Sequence, residues 1–401
     1  MQYNEVIQYL EGLTIMPKTM PGLEKIRSAV TSRSWFSKID PQKVITIAGT
    51  NGKGTTAAAL EALLIAADKK VGLYTSPHLI STTERIRVNG ADISEAAFTQ
   101  LCLTNKLTIE KYTLSHFESL TLMAADHFFT QNLDYIILEV GLGGMFDATN
   151  VFPNYYSVIT KMGLDHENIL GNNLMDIARN KFGIIKPKSI VIHHKFDSQI
   201  SDLVKETQRK THSTWIQGYL PEKTFDTNLI GPRAQENIST AVTVFETLGF
   251  DFEKHKEALK KINWPGRMQP VNWPGLEKPI YLSGDHNPQG IESLIEILNN
   301  YKYENLHLII GIGVDKSSDK MLRRILSIPR LKLYLTETPF KGRRVEDYPE
   351  FAMKAAAMSD RNVFNILNAI KPQSNDMTVV TGSLYLVGSV LKSISKISSI
   401  N

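Results

Sequence analysis

A chain of 401 residues, 42% hydrophobic and 21% charged, has the composition of a globular protein and is long enough that two domains are the natural expectation. Its net charge of +4 comes from scattered basic residues without a Lys/Arg-rich run, which argues against a nucleic-acid partner and suits a small anionic substrate. A single cysteine, Cys102, excludes an internal disulfide and a cysteine-based zinc cluster. With no basic leader at Met1–Glu5 and no apolar run of bilayer length, a cytoplasmic location and no membrane partner are expected.

In chain order, Val44–Ala48 reads as a buried strand. It leads into Gly49-Thr50-Asn51-Gly52-Lys53-Gly54-Thr55 and an Ala/Leu-rich helix expected over Thr55–Ala67. A glycine loop between a strand and a helix presents backbone N–H groups and a helix N-terminus to an anion. Lys53 would reach the β- and γ-phosphates of a nucleotide, and a threonine hydroxyl would help hold magnesium. The spacing departs from the general Gly-x4-Gly-Lys-Ser/Thr pattern, because Gly54 follows the lysine.

Val71–Thr75 is a second short strand, and Ser94–Glu110 and His116–Gln131 read as helices. Tyr135–Glu139 is a strand ending on a carboxylate, followed by Val140-Gly141-Leu142-Gly143-Gly144. Glu139 stands where a nucleotide-bound magnesium needs an oxygen ligand. Tyr156–Thr160 is a further strand, followed by Leu164-Asp165-His166, where His166 would hold a second metal and Asp165 would orient it. Helices are expected over Asn173–Phe182 and Ala234–Leu248. Strands alternating with helices predict a parallel sheet with right-handed crossovers.

Prolines and glycines cluster from Trp264 to Lys278 and mark a linker or a hinge. Beyond it the alternation restarts, with strands at Ile280–Ser283, Leu306–Ile310, Lys332–Thr336 and Met377–Thr381. The intervening helices are expected at Pro288–Asn299, Lys320–Ser327, Asp347–Met358 and Leu384–Ile394. Ser283-Gly284-Asp285-His286-Asn287-Pro288 places polar groups at a strand end just before a helix N-terminus suited to an anion. Lys341, Arg343 and Arg344 form a short basic cluster, read equally well as a carboxylate site or as a solvated loop.

Taken together, these segments resemble the folylpolyglutamate synthase/dihydrofolate synthase family of the Mur ligase superfamily, from about residue 40 to residue 390. Besides the glycine loop, the resemblance is carried by Ser76-Pro77-His78-Leu79 with Glu84-Arg85-Ile86, and by Leu138–Gly144 followed by Asp147-Ala148-Thr149-Asn150. Leu164-Asp165-His166, the helix holding Lys181, Pro265-Gly266-Arg267, His286-Asn287-Pro288 and Thr381–Leu386 complete it.

The resemblance implies an N-terminal P-loop ATPase-like domain with a parallel-rich sheet, over 1–268, and a smaller C-terminal Rossmann-like α/β domain over 269–401. It implies an ATP-dependent ligase that adds L-glutamate to dihydropteroate, to reduced folates or to both, through an acyl phosphate, acting as a monomer. ATP would be bound by Gly49–Thr55, Arg267, His286 and Asn287, and the substrate by Ser76, Pro77, His78, Arg85 and Asp147. Two magnesium ions would be held by Thr55, Ser76, Glu139, His166 and Lys181, with Lys181 carried as an N-carboxylated carbamate. Lys53, Lys181 and His166 would be catalytic.

The chain departs from the family pattern in four places. Ser283 and Asp285 replace the usual leading aspartate of Asp-Gly-Ala-His-Asn-Pro; Met145-Phe146 replaces Arg-Leu; Arg233-Ala234 replaces His-Gln or Tyr-Gln; and Ser317 stands for a second aspartate. Two other readings compete. A peptidoglycan-precursor ligase would need a UDP-binding domain, for which the 48 residues before Gly49 are too few. A non-catalytic nucleotide-binding relative would fit the departures at Ser283 and Ser317.

Overall fold

The computed structural model describes residues 1–14, 22–219 and 224–398. The chain divides into two compact units: Met1–Pro77, Thr82–Asn228 and Ala234–Asn263 form the first, and His78–Ser81, Leu229–Arg233 and Trp264–Asn401 the second.

The first unit is built on eight strands: β1 (Val44–Ala48), β2 (Val71–Tyr74), β3 (Ile86–Val88), β4 (Ala91–Asp92), β5 (Tyr135–Glu139), β6 (Tyr156–Ile159), β7 (Ile190–His193) and β8 (Thr214–Gln217). They pair in the order β4-β3-β2-β5-β1-β6-β7-β8. The six strands from β2 to β8 run parallel, and β3 and β4 add an antiparallel edge. All five residues of β1 are buried, the pattern of a central strand covered on both faces. The connection after β1 leads to β2 on one side of it, and the connection after β6 leads to β7 on the other. The C-terminal ends of β1 and β6 therefore form a topological switch point, where open α/β sheets bind ligands.

One core cluster gathers Val6, Leu10, Ile26, Val30, Phe98, Leu122 and Phe128 from four helices: Tyr3–Glu11, Glu24–Thr31, Glu95–Tyr112 and His116–Phe129. A second holds Ala48, Ile159, Ala178, Phe182 and Val191 around the helix Leu174–Phe182.

The second unit has six strands: β9 (Gln269–Val271), β10 (Ile280–Leu282), β11 (Leu306–Gly311), β12 (Leu331–Thr336), β13 (Ala356–Ser359) and β14 (Met377–Thr381). The order is β13-β12-β11-β14-β10-β9, parallel except for the antiparallel pair β9·β10. Alternate residues of β11 feed opposite faces: Leu306, Leu308 and Ile310 join the cluster with Ile291, Leu294 and Leu322, and Ile309 joins the one with Ile366, Leu386 and Val387. Leu308 is fully buried on this central strand. Leu308→Ala is expected to cost about 3 kcal/mol, by lost transfer energy plus an unfilled cavity, read as a lower urea midpoint at unchanged m-value.

Two local expectations are corrected, and two features were not anticipated in detail. The helix expected over Asp347–Met358 is a short helix Glu350–Ala355 that gives way to the strand β13, because Ala356–Ser359 is drawn into pairing with β12. Its alanines favour a helix locally, and the open edge of the sheet overrides them. The sheets are parallel-rich as expected, with β3, β4 and β9 added as short antiparallel edge strands that carry little apolar signal. The helix after the glycine loop starts at Lys53, two residues before the expected Thr55. The amphipathic helices Tyr3–Glu11 and Glu24–Thr31 precede the first predicted strand. Among the described residues, no helix is long and apolar enough to cross a membrane.

Candidate active site

In the first unit, the site grows from the C-terminal ends of four adjacent strands, β2, β5, β1 and β6. β1 releases the chain into the glycine loop. Gly52 caps the helix Lys53–Ala66 with φ +89°, and a Cβ there would lie 2.1 Å from Asn237 Oδ1. Both facts require glycine. The loop is pinned from β6: Thr50 N donates to Lys161 O at 2.9 Å, and Thr160 Oγ1 donates to Asn51 O at 2.8 Å. Thr50 Oγ1 donates to Gly163 O at 2.9 Å. The helix's hydrogen bonding begins with Thr56 N to Gly52 O at 2.9 Å. The amides just before it carry the positive end of a 14-residue helix.

Two lysines converge on one carbonyl of this loop. Lys53 Nζ donates to Gly49 O at 3.2 Å, and Lys181 Nζ donates to the same oxygen at 2.9 Å. Lys181 is 4% exposed. Burial, and after it the charge of Lys53, pushes its ammonium down to about 7, against a weaker upward pull from Asp165 and Asp147. At neutral pH a large share of Lys181 is therefore a free amine. The helix that carries it is packed on the second glycine loop: a Cβ on Gly144 would lie 2.9 Å from Asn180 O and 3.0 Å from Lys181 Cα. Met145 N donates to Asn180 O at 2.7 Å.

Glu139 ends β5 beside Ile47 of β1 and is 4% exposed. Its Oε2 accepts from Thr75 Oγ1 and, at 3.1 Å, from Ser76 N, so the carboxylate is held against the residues that follow β2. Ser76 and Pro77 are joined by a cis peptide bond. Asp147 is buried with both oxygens occupied. Oδ2 accepts from Gly141 N at 3.0 Å and Leu142 N at 2.9 Å, and Oδ1 accepts from Thr149 N at 3.0 Å and Thr149 Oγ1 at 2.6 Å. Here it shapes the glycine loop. His166 follows β6 in the left-handed region, φ +51°; its N–H donates to Asp165 Oδ1 at 2.9 Å, and the same oxygen is 4.0 Å from His166 Nε2. Arg85 is buried, and its carbonyl accepts from Thr75 N at 3.1 Å.

Oxygen donors suit a hard cation, and Thr55, Ser76 and Glu139 come from three neighbouring strand ends. Among the described residues, no three His, Cys, Asp or Glu side chains form a metal cluster. A donor set made of hydroxyls and one carboxylate fits magnesium better than a transition metal.

The second unit holds His78, Arg267, His286 and Asn287. Asn287 caps the helix Pro288–Leu298, its Oδ1 accepting from Gly290 N at 2.8 Å. His286 Nδ1 is 3.0 Å from Gly284 O, which fixes the proton on that nitrogen. His78 meets Tyr385 edge-to-face at 6.1 Å.

No family model matches the chain. It is 32% identical over 368 residues to the dihydrofolate synthase/folylpolyglutamate synthase of Buchnera aphidicola from Schizaphis graminum, covering 85% of this chain and 86% of that protein. The chain belongs to the dihydrofolate synthase/folylpolyglutamate synthase family. Members of this family are ATP-dependent glutamate ligases. Escherichia coli FolC in complex with DHPP and ADP superposes with a TM-score of 0.86 at 26% identity, over 99% of each chain. A bifunctional family member solved with Mn, AMPPNP and L-glutamate gives 0.86 at 26% identity, over 98% of each chain.

Within this family's site, three residues here escaped sequence reasoning. Thr75, at the end of a predicted strand, donates to Glu139. Asn237 fills the space that Gly52 leaves open, and Thr56 Oγ1 donates to its carbonyl at 3.3 Å. Asn180, the neighbour of Lys181, binds the second glycine loop through its carbonyl. The last two had no local signal, since their partners lie far away in sequence.

Proposed function

We propose that this chain joins the amino group of L-glutamate to the carboxyl group of dihydropteroate and also of reduced folates, with ATP as the energy source. The observation that carries this reading is the buried Lys181 amine, which shares Gly49 O with the phosphate-loop lysine beside the strand end that bears Glu139. The relatives support the substrate side: one is named for both activities, and another binds L-glutamate with a nucleotide analogue.

In this reading a substrate carboxylate oxygen attacks the γ-phosphorus, and the bond to the ADP oxygen breaks. The glutamate nitrogen then attacks the acyl carbon, phosphate leaves with the bonding pair, and the nitrogen loses a proton. Lys53 and the amides at the start of its helix neutralise charge on the phosphoryl oxygens. Thr55, Ser76 and Glu139 would hold one magnesium, and His166 with a carbamylated Lys181 a second; the metal, when bound, screens phosphate charge. Lys181 suits the modification because its neutral amine adds to carbon dioxide and sheds a proton. The product is an anion beside the Lys53 cation, where two ammonium groups would repel. His286, Asn287 and Arg267 would bind the nucleotide, and Ser76, Pro77, His78, Arg85 and the loop held by Asp147 the pterin-bearing substrate.

The test is ADP release that depends on glutamate, compared with dihydropteroate and with a tetrahydrofolate as the acceptor. Release is expected with both. Release with the second alone would remove dihydrofolate synthesis from the reading. ATP binding without release on either would favour a non-catalytic nucleotide-binding protein, the competitor suggested by Ser283 and Ser317.

A further inference from the structure

One of the chain's departures from the family pattern, the Ser283/Asp285 pair, lies in the second unit. Ser283 follows β10, its N–H donating to Val380 O at 3.0 Å, which continues the sheet pairing by one residue. In extended backbone, residues two apart project to the same side. A carboxylate two residues on from position 283 can therefore reach the same place, and here Ser283 Oγ donates to Asp285 Oδ2 at 2.6 Å, so the Asp285 carboxylate lies against the serine. Asp285's main chain is fixed as well, since its carbonyl accepts from Gly382 N at 3.0 Å.

A guanidinium group lies beside this segment. Arg267 lies against the intervening glycine, where a Cβ on Gly284 would be 2.7 Å from its Nη1. Burial raises the Asp285 carboxyl above its ordinary range, and the Ser283 hydrogen bond and then the Arg267 charge oppose that rise.

We propose that Asp285, clamped by Ser283, replaces the carboxylate absent at position 283 and acts as a positioning residue for the Arg267 guanidinium. The inference rests on the proposed reading in which Arg267 binds ATP. It states that a carboxylate can occupy this place from either backbone position, and that its loss affects nucleotide binding more than turnover.

The experiment uses the full chain and steady-state kinetics with ATP varied, for Asp285→Ala, the exchange variant Ser283→Asp/Asp285→Ala and Arg267→Ala. Asp285→Ala is expected to raise the KM for ATP about tenfold, with kcat within about twofold and an unchanged far-ultraviolet spectrum. The exchange variant should return KM to within about threefold of wild type. A KM unchanged in Asp285→Ala, or a folded exchange variant with no recovery, overturns the inference. If Arg267→Ala leaves the KM for ATP unchanged, the reading of Arg267 as a nucleotide ligand falls and takes the inference with it. If Arg267→Ala raises KM and Asp285→Ala does not, only the inference falls.

Discussion

Replacing Lys181 by methionine is expected to lower turnover by a factor of about 10³ while raising the protein's stability at pH 7. The two effects have one origin. Burial, reinforced by Lys53, depresses the Lys181 ammonium from 10.5 to about 7. Between those values the unfolded chain keeps a proton that the folded chain has released, so this group's contribution to stability rises with pH through that window and is lost as pH falls to 7. At neutral pH the buried amine therefore destabilises the fold, on the order of a few kcal/mol, and a methionine of similar length has no ammonium to desolvate. Urea unfolding in bicarbonate-free buffer at pH 7 and pH 9 should show the variant ahead, by a smaller margin at the higher pH. A variant less stable than wild type at pH 7 contradicts the burial argument. In the activity assay, bicarbonate should raise the wild-type rate, more so above pH 7 where the amine is free, and leave the variant unaffected. Wild-type turnover in Lys181→Met would remove the carbamate from the mechanism.

Glu139→Gln is expected to cost about 10³ in kcat with little loss of stability. Glutamine keeps the length of the side chain and an oxygen that accepts from Thr75 Oγ1 and Ser76 N, so the local geometry survives. What disappears is the negative charge at the end of β5, and with it the attraction for a divalent cation. Titration with magnesium should show half-maximal rate at a higher concentration than in wild type. Thr75→Val, which removes the hydroxyl that orients the carboxylate, should fall between the two, about 10- to 100-fold below wild type. A glutamine variant with the wild-type metal requirement and rate would show that Glu139 only braces the turn after β2.

Much of the framework could be read from local pattern. Val44–Ala48, Tyr135–Glu139, Leu306–Gly311 and Met377–Thr381 are apolar runs whose only stable home is the middle of a covered parallel sheet, and they are strands there. Edge strands were harder. β3, β4 and β9 are two or three residues long and pair antiparallel, so neither length nor apolar content marks them. The segment from Glu350 to Ser359 shows the converse case, in which a locally helical composition yields to a free sheet edge.

The site divides along the same line. Residue type and spacing by themselves determined the glycine loop at Gly49–Thr55 between a strand and a helix, the carboxylate at a strand end and the order of motifs that names the family. Those are short-range properties, set by backbone freedom at glycine and by the two-residue period of a strand. Only the tertiary structure decided that Lys181, 132 residues beyond Gly49, donates to that residue's carbonyl, and that burial beside Lys53 lowers its ammonium to about 7. It likewise decided that Asp147 spends both oxygens on its own loop, and that Ser283 donates to Asp285. Desolvation and charge pairing depend on which distant segments the sheet registers bring side by side, and no local spacing encodes that.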